Sequence, residues 1–483
     1  MRMVVGWNNA LVWLIAGAMG TGCAIQKPLP APIEPPAAFE NQPPERAAAW
    51  PAKEWYRSFG SAQLNTLVDL AQKNNGDLAQ ARARIQQADA RARQAGAAIL
   101  PSLDAVGTGN FLAGHSSSGS GHETDWSAML SASYEVDFWG KKRATVNSAL
   151  FLATAAHVEQ QTVALTTLAG VANAYFQLLA VRERLTIAHS NVDAARSLVQ
   201  AIQARFDAGS ASPVELATQK STLGTAEIVI TELEQQQSEA RAALALLIGR
   251  IPEGFDIEYA PFDSMSEPAV AAGLPSELLR RRPDLIVAEA NLRSAHADVA
   301  VARAAMFPSL NLTAAAGLQN PALNAAILSI SGPGSTLAIT STLTQPIFNH
   351  GKLRAQRAEV QAKSDELVAA YRTSIISALI DVENALAAIS HLNAARALQE
   401  ETLTQSQRAF DGAKLRYQAG SGDFLTLLDA QRTLYTARDQ YVLYRLARLQ
   451  SLVSLCKALG GGWSASEPGA IPLVTQEQWN TSR

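Results

Sequence analysis

Residues 77–103 read DLAQARARIQQADARARQAGAAILPSL, and residues 284–310 read DLIVAEANLRSAHADVAVARAAMFPSL. The two stretches share residues at a constant separation of 207 positions, from the opening Asp-Leu to the closing Pro-Ser-Leu. Further along the chain, Gly140-Lys141 returns as Gly351-Lys352, at a separation of 211 positions. So many matches in one order are hard to obtain by chance, and they indicate that the chain holds two similar halves.

Both halves have the same order of parts. A helix rich in alanine, glutamine and arginine ends at a proline, two alternating segments follow, and two long helices joined by a glycine-containing turn complete the half. The first repeat, 61–250, has predicted strands at about 102–112 and 126–139 and long helices at about 141–207 and 213–248. The second repeat, 283–460, has predicted strands at about 309–318 and 335–348 and long helices at about 352–418 and 424–459. A Pro/Gly-containing connector, 251–282, joins the repeats, and a tail follows at 461–483.

The long helices carry apolar seams. In the first of them, apolar residues step by three and four positions without a break: Leu178, Val181, Leu185, Ala188, Val192, Ala195, Val199, Ile202 and Phe206. The returning helices carry apolar residues at sevens: Leu216, Leu223 and Ile230, and then Leu428, Tyr435, Val442, Leu449 and Cys456. This pattern is typical of helices that supercoil against partners. At about 1.5 Å per residue, the helix over 141–207 would reach roughly 100 Å, a length that suits a structure crossing a compartment.

The predicted strands alternate apolar and mostly polar residues, as membrane β-barrel strands do. On alternation alone, a half-buried soluble hairpin in each half is equally compatible, with the Ser/Gly-rich stretch from His115 to Asp125 as a loop. Four strands cannot close a barrel, because about eight is the smallest number that works, and every strand edge in lipid must be paired. A membrane-spanning chain of this kind must therefore share its barrel with copies of itself. If the apolar face meets lipid, Asp104, Glu135 and Asp137 line the lumen; the alternative is simple surface polarity.

The N-terminus is predicted to be an export signal over 1–22, with Arg2 as its charged start and an apolar run over 11–19. Small residues precede Cys23, which resembles a bacterial lipoprotein processing site, although Gly20 stands where leucine is usual. The alternative is a signal cleaved elsewhere. Residues 23–60 are predicted to form a lipid-anchored tether, because much of the segment is rich in proline and alanine.

Composition excludes several classes of protein. The 483 residues are 48% hydrophobic and 17% charged with a net charge of −3, which excludes a disordered chain and a basic field for nucleic acid. After the N-terminus, no uninterrupted apolar stretch approaches ~18 residues, so a bilayer would be crossed by strands. The seven histidines lack metal-ligand spacing, and no phosphate-cradling glycine loop occurs. We therefore expect no enzyme activity and no cofactor apart from a covalent lipid on Cys23.

Separated motifs resemble the TolC-like outer-membrane factors, in the lipoprotein (NodT/OprM-type) branch. They lie at 134–140 (YEVDFWG), 273–285 (GLPSELLRRRPDL), 305–310 (AMFPSL) and 427–431 (LLDAQ). The resemblance implies a mostly α fold with membrane β: a homotrimer with a 12-strand outer-membrane barrel and a periplasmic α-helical tunnel. It also implies a passive efflux duct for small molecules, lipid-anchored in the outer membrane and opened by a periplasmic adaptor and an inner-membrane transporter of the RND type. The alternatives are an exit duct for protein secretion and a non-conducting, periplasm-spanning structural lipoprotein.

The resemblance also implies roles for residues at the two helix–turn–helix corners. Asp429 matches an aspartate that rings a closed aperture, and Leu425 matches an apolar constriction one turn before it. Tyr417 and Glu215 match residues that tie neighbouring helices shut, whereas Gly422 stands where some members carry an arginine. The expected adaptor contacts are Arg205, Gly209, Arg416 and Gly420, and both glycines are also expected to end helices in a left-handed turn.

Replacing Cys23 with alanine is expected to remove the acyl anchor but leave trimer assembly intact, because barrel closure does not need the lipid. Metabolic labelling with palmitate measures the first effect, and a heat-sensitive trimer band on gels measures the second. A Cys456→Ala variant is the control, since it removes the other cysteine without touching the signal. Loss of the trimer in the Cys23 variant would contradict the prediction.

Overall fold

The computed structural model describes residues 35–41, 50–116, 119–258, 260–270, 272–319 and 335–463. The chain divides into two compact units, Met1–Glu34 and Pro35–Arg483, and all described residues belong to the second. The predicted signal peptide, Cys23 with the start of the tether, the turn between the third and fourth strands and the tail beyond 463 lie outside the described residues.

Long helices dominate the described chain. In chain order the main elements are α1 Ala62–Asn74, α2 Gly76–Ala97, β1 Ser102–Ser116, β2 Gly119–Val136, α3 Lys141–Asp207, α4 Pro213–Leu247, α5 Pro283–Ala304, β3 Ser309–Gln319, β4 Ser335–Thr344, α6 Lys352–Gln418 and α7 Phe424–Ala458. Helices α2 and α5 have 22 residues each, α3 and α6 have 67, and α4 and α7 have 35. The two halves therefore match helix by helix.

The starts of the long helices follow from local chemistry. Gly140 and Gly351 precede α3 and α6 with φ of 73° and 83°, a backbone region that glycine adopts without a steric penalty. Ser212 and Asp423 cap the returning helices α4 and α7. Their side-chain oxygens accept a backbone N–H three residues on, at 3.1 and 2.8 Å, and so satisfy a donor that the helix leaves free.

The strands form one antiparallel sheet in the order β1-β2-β3-β4. Its ladders pair Ser102 with Ser133, Ser133 with Thr313, and Thr313 with Thr340. In the described part of the chain, β1 and β4 each pair on one side, so both edges of the sheet present unpaired backbone groups.

The sheet has one apolar and one polar face, because the register places like residues opposite one another in all three ladders. The exceptions are Val106, Met129, Ala315 and Ala338 on the polar face and Ser341 on the apolar face. The apolar face carries Leu103, Ala105, Leu130, Ala132, Leu310, Leu312, Ala314, Leu318, Leu337, Ile339 and Leu343. The polar face carries Asp104, Thr108, Ser127, Ser131, Ser133, Glu135, Asn311, Thr313, Thr340 and Thr342. Leu337 and Ile339 are 75% and 79% exposed, so this apolar face is uncovered within one chain.

Several strand boundaries differ from those expected, and β4 ends at Thr344 instead of about 348. The stretch from His115 to Asp125, expected to be a loop, belongs largely to the ends of β1 and β2, because its backbone continues the ladder as far as Ser116 and Gly119. At the other end, β2 stops at Val136 instead of continuing to 139. The reason is that the carboxylate of Asp137 turns back to accept backbone N–H groups of α3.

The largest hydrophobic core lies where α1 and the connector pack against α3, α4 and α7. Tyr175, Phe176 and Phe59 are fully buried there. Cys456 belongs to the same core, and burial raises the pKa of its thiol to about 12. The thiol therefore stays protonated at neutral pH and acts as a small apolar core residue, as the heptad position predicted.

Helices α3 and α6 are each long and apolar enough to cross a membrane by length and composition alone. Both pack against other helices of this chain: α5 lies against α3 and α6, and α2 lies against α3. The most apolar stretch of α3 is 56% buried, and that of α6 is 28% buried. The equivalent helix of the second half therefore leaves more apolar surface uncovered within one chain.

The connector is fixed to the long helices by arginine–carboxylate pairs. Glu267 binds Arg396 of α6 at 3.1 Å and Arg448 of α7 at 2.7 Å. Arg445 of α7 binds Asp263 through both its carboxylate and its carbonyl. The connector thus links α6 to α7 beside the core.

Arg282 joins three elements just before α5. It donates to both carboxylate oxygens of Asp284, at 3.0 and 2.7 Å, to Asp381 of α6 at 3.0 Å, and to the carbonyl of Ala458 at the end of α7 at 3.3 Å. Its side chain is only 12% exposed. Burial alone lowers the pKa of Arg282, but the bonds and charges of Asp284 and Asp381 outweigh it and raise the pKa further.

Replacing Arg282 with methionine should lower the thermal unfolding midpoint of the detergent-solubilised protein. The change leaves two carboxylates and a helix-end carbonyl without their donor, at a cost of about 1–3 kcal/mol. Arg293→Met is the matched control, because Arg293 makes an exposed pair with Glu289 within α5 that contributes only about 0.3–0.5 kcal/mol. Equal midpoints for the two variants would contradict the role given to Arg282.

Candidate functional site

The turns between the paired long helices have the same geometry in both halves. Gly209 and Gly420 have φ of 77° and 75°. One residue later, the N–H of Ser210 donates to the carbonyl of Arg205 at 2.8 Å, and the N–H of Ser421 donates to that of Arg416 at 3.0 Å. This is the Schellman arrangement, and it contains the left-handed turn expected at both glycines. No atom lies within 4 Å of a Cβ added at either glycine, so the positive φ alone requires glycine there.

Tyr417 connects three helices at these turns. Its side chain is buried, and its hydroxyl donates to a carboxylate oxygen of Glu215 in the first turn of α4 at 3.2 Å. Arg205, in the last turn of α3, donates to the carbonyl of Tyr417 at 2.6 Å and lies 4.6 Å from the centre of its ring. We call these three residues the tyrosine cluster. It joins α6 to α3 and α4 within one chain.

Burial raises the pKa of Tyr417, and the nearby charge of Glu215 raises it further, while Arg205 opposes the shift. The hydroxyl therefore remains a neutral donor at neutral pH. The sequence predicted that Tyr417 and Glu215 act together, and the structure brings them together. Arg205, which is also an expected adaptor contact, has a half-buried side chain that packs on the tyrosine.

Gly422, where the resemblance to TolC-like factors implies an arginine in some members, lies in a tight part of the turn. A Cβ added there would lie 3.0 Å from Cβ of Arg416 and 3.1 Å from the backbone nitrogen of Tyr417. Its own N–H donates to the carbonyl of Arg416 at 3.0 Å. A side chain at this position would require these neighbours to move by a few tenths of an ångström. In this chain the guanidinium beside the tyrosine comes from Arg205 on α3.

Leu425 and Asp429 lie one turn apart on an exposed stripe of α7. Leu425 is 73% exposed, and Asp429 is exposed as well. Within the described residues, no hydrogen bond or ion pair joins Asp429 to the tyrosine cluster. One chain therefore does not assemble the expected aperture. Arg416, Gly209 and Gly420 also have exposed side chains or backbones at the turns, as an adaptor contact requires.

A buried polar chain crosses the helices above the turns, and sequence reasoning missed it. Gln219 of α4 donates to the side-chain oxygen of Gln431 of α7 at 3.3 Å, and both residues are fully buried. Gln431 donates to the hydroxyl of Tyr435 at 2.8 Å, which in turn donates to the carbonyl of Asn191 of α3 at 2.7 Å. Among the described residues, the side-chain oxygen of Gln219 has no hydrogen-bond partner.

The signal for this polar layer was present in the sequence. Gln219 and Gln431 each follow a seam leucine, Leu216 or Leu428, by three residues, and so occupy core positions of the coiled coil. A polar residue at such a position costs stability but specifies how the helices align.

The acidic residues expected to line a lumen lie in different settings. Glu135 of β2 binds Lys141 at 3.3 Å. Asp137 lies beyond the end of β2, accepts the backbone N–H groups of Lys142 and Arg143, and is only 10% exposed. Asp104 is exposed on the polar face of β1. Asp137 thus anchors the start of α3, whereas Asp104 and Glu135 face the polar side of the sheet.

Within the described ranges, no group of three histidine, cysteine or acidic side chains is arranged to hold a metal ion. His157 forms one pair with Asp89, at 3.1 Å, which joins α3 to α2. The described site is thus built from hydrogen bonds, charges and helix packing.

The sequence profile of the family described as "Outer membrane efflux protein" matches residues 67–250 and 274–461. The chain belongs to this family. It is 42% identical to the pyoverdine export outer membrane protein OpmQ of Pseudomonas aeruginosa, over 94% of this chain and 96% of that protein. As an efflux channel family member, it resides in the outer membrane and extends into the periplasm, as the motifs predicted.

Solved channels of this kind share the fold. The outer-membrane channel OprN superposes with a TM-score of 0.81 at 26% identity, covering 89% of this chain and 98% of that one. The open state of the MtrE outer membrane channel of Neisseria gonorrhoeae gives a TM-score of 0.79 at 28% identity, covering 91% of this chain and 99% of that one. The family's role is that of a channel, which agrees with the expectation that the chain is not an enzyme.

Gln431→Leu is expected to lower the thermal unfolding midpoint, because it leaves Gln219 and Tyr435 buried without their partner, at a cost of about 1–3 kcal/mol. Adding Gln219→Leu should recover most of the loss, since replacing both members of a buried polar pair is nearly neutral. Differential scanning fluorimetry in detergent measures all three midpoints. If the double variant melts no higher than the Gln431 variant, the two amides do not act as a pair.

Proposed function

We propose that three copies of this chain form a 12-strand barrel in the outer membrane and a helical tunnel in the periplasm, through which small molecules leave passively. The observation that carries this proposal is the four-stranded sheet, which has one exposed apolar face and two unpaired edges. In hydrocarbon each unpaired backbone group costs several kcal/mol, so both edges need a strand partner. Other copies of the chain supply those strands, and the resemblance to TolC-like factors favours three copies.

The helices support the same assembly. Helix α5 packs against both α3 and α6, whereas α2 packs against α3. Ala169 of α3 is buried, but its repeat equivalent on α6, Ile380, is 51% exposed. The open flank of α6 is therefore the counterpart of a surface of α3 that is buried within the chain, in the core that contains α1. We propose that helices of the next copy cover it, which gives the tunnel approximate six-fold symmetry.

We propose that the turns form a closable inner end of the tunnel. Three copies of Asp429 around the axis would form a ring of carboxylates that holds cations and repels anions, with Leu425 as an apolar constriction beside it. The tyrosine cluster holds α6 to α3 and α4, so α6 and α7 must break these contacts to move outward. A periplasmic adaptor at Arg205, Gly209, Arg416 and Gly420 is placed to drive that movement, coupled to an inner-membrane transporter of the RND type.

The names of the relatives indicate only the class of molecule that is exported. The OpmQ protein is named for export of pyoverdine, a small molecule, and other relatives are named for efflux of toluene and antibiotics. We propose that this chain also exports small molecules, and that a lipid on Cys23 adds an anchor beside the barrel.

Ion conductance in a planar bilayer tests the channel and its gate together. Unmodified protein should give small, cation-preferring currents, because three carboxylates narrow the closed end. Asp429→Ala should raise the current and reduce its cation preference. Tyr417→Phe should raise it about fivefold while keeping the preference, because it removes one hydrogen bond of about 1 kcal/mol from the closed state.

Asp69→Ala is the control for conductance, because Asp69 is an exposed carboxylate on α1, distant in sequence from both turns. Its currents should match those of the unmodified protein. Large, identical currents from unmodified and Asp429 variant proteins would keep the channel and overturn the gate. A verified oligomer that gives no current in any variant would overturn the conduit and favour a structural role.

A further inference from the structure

The two hairpins of the sheet have the same register. Ser102 pairs with Ser133 in the first half, and Ser309 pairs with Thr344 in the second. These positions are equivalent in the repeat, because β1 and β3 are separated by 207 residues and β2 and β4 by 211. No slip of even one residue separates the halves. The internal repeat therefore preserves strand register as well as helix length.

The ladder between β2 and β3 consequently indicates how β4 would pair with β1 of a second copy. Ser131 pairs with Ala315 within the chain. In the repeat, Thr342 is equivalent to Ser131 and Thr108 is equivalent to Ala315. Thr342 of one copy would therefore lie opposite Thr108 of the next. The same operation places Leu343 opposite Gly107, so the apolar face continues across the boundary between the two copies, which we call the seam. A register wrong by one residue would have mixed the two faces.

Charges at the base of the sheet differ between the halves. In the first half, Glu135 binds Lys141 at 3.3 Å and Asp137 binds Arg143 at 3.2 Å. In the second half, the positions equivalent to these two carboxylates are Pro346 and Phe348. The cations remain, as Lys352 and Arg354.

Lys352 and Arg354 are exposed at the start of α6 and form no ion pair with the other described residues of their own chain. The second half has thus kept both basic side chains and lost both acidic ones. An anion from outside the chain would complete this site.

The register across the seam supplies a carboxylate at this place. Within the chain, Glu135 lies opposite Asn311. In the repeat, Pro346 is equivalent to Glu135 and Asp104 is equivalent to Asn311. Pro346 would therefore lie opposite Asp104 of the next copy, and the carboxylate would stand on the neighbouring strand. The carboxylate of Asp104 is exposed, and from the described residues of its own chain it accepts only a long bond, from the hydroxyl of Ser102 at 3.4 Å.

We propose that β4 of one copy pairs with β1 of the next in this register, and that Asp104 of the next copy binds Lys352 across the seam. The proposal rests on the oligomeric barrel proposed above and identifies the contact that aligns its copies. A slip of one residue is disfavoured because it would place apolar residues on the polar face, whereas a slip of two residues would leave each face unchanged. The ion pair disfavours a slip of two residues, because it would displace Asp104 by about 7 Å from Lys352.

Disulfide cross-linking measures the register. In a Cys456→Ala background, Thr342→Cys with Thr108→Cys should give covalent oligomers on denaturing gels after mild oxidation, because directly opposite residues have Cβ atoms about 4.5–5.5 Å apart. Thr342→Cys with Val106→Cys tests a slip of two residues on the same face and should cross-link at least tenfold less. Preferential cross-linking of the second pair would overturn the register, as would equal cross-linking of both.

Exchange of charges tests the ion pair. Asp104→Asn and Lys352→Gln should each lower the temperature at which the oligomer dissociates on semi-native gels. The double variant Asp104→Lys with Lys352→Asp should regain more than half of that loss. Glu135→Gln is the control, since its ion pair lies within one chain and should leave dissociation nearly unchanged.

The outcomes separate this inference from the function on which it rests. If Lys352→Gln lowers the dissociation temperature and Asp104→Asn does not, the anion is external, for instance a phospholipid headgroup, and the ion pair is overturned. Failure of the charge exchange to restore any stability overturns it as well. If the unmodified protein forms no oligomer, both the proposed barrel and the proposed pairing of β4 with β1 are overturned.

Discussion

Backbone hydrogen bonding in a membrane is the constraint on which the rest of this structure depends. The sheet buries no apolar face within its own chain and leaves the outer sides of β1 and β4 unpaired. Water satisfies such edges at a surface, but hydrocarbon does not. A four-stranded sheet in the outer membrane therefore needs strand partners from elsewhere, and in the proposed oligomer identical copies supply them with the correct alternation of faces.

The helices inherit this requirement. Because α3 and α6 have equal lengths, as do α4 and α7, the two turns lie the same number of residues beyond the helix starts at Lys141 and Lys352. The chain therefore contributes two equivalent turns, and the tyrosine cluster and the buried Gln219–Gln431 pair fix how its helices align there. In the proposed assembly, differences between the halves carry the special functions: Asp429 and Leu425 in the second turn, and Lys352 without a carboxylate at the second helix start.

Much of the fold follows from local signals that the sequence shows directly. Helix ends were predictable because Gly209 and Gly420 mark turns, and the pairing of Tyr417 with Glu215 followed from a family motif. Other features depend on contacts between distant segments. Backbone pairing extends β1 and β2 through a Ser/Gly-rich stretch that resembles a loop, and Asp137 caps α3 instead of continuing a strand. The place of Arg205 beside Tyr417 required knowledge of how α3 and α6 pack.

The central claim is that this chain is complete only as an oligomer whose copies close one sheet. Native mass spectrometry of protein released from detergent micelles tests it most directly, since each chain has a mass of 51.3 kDa before processing. We predict a complex of three chains that remains intact after the detergent shell has been removed. A single chain, or a complex of two or four, would contradict the account.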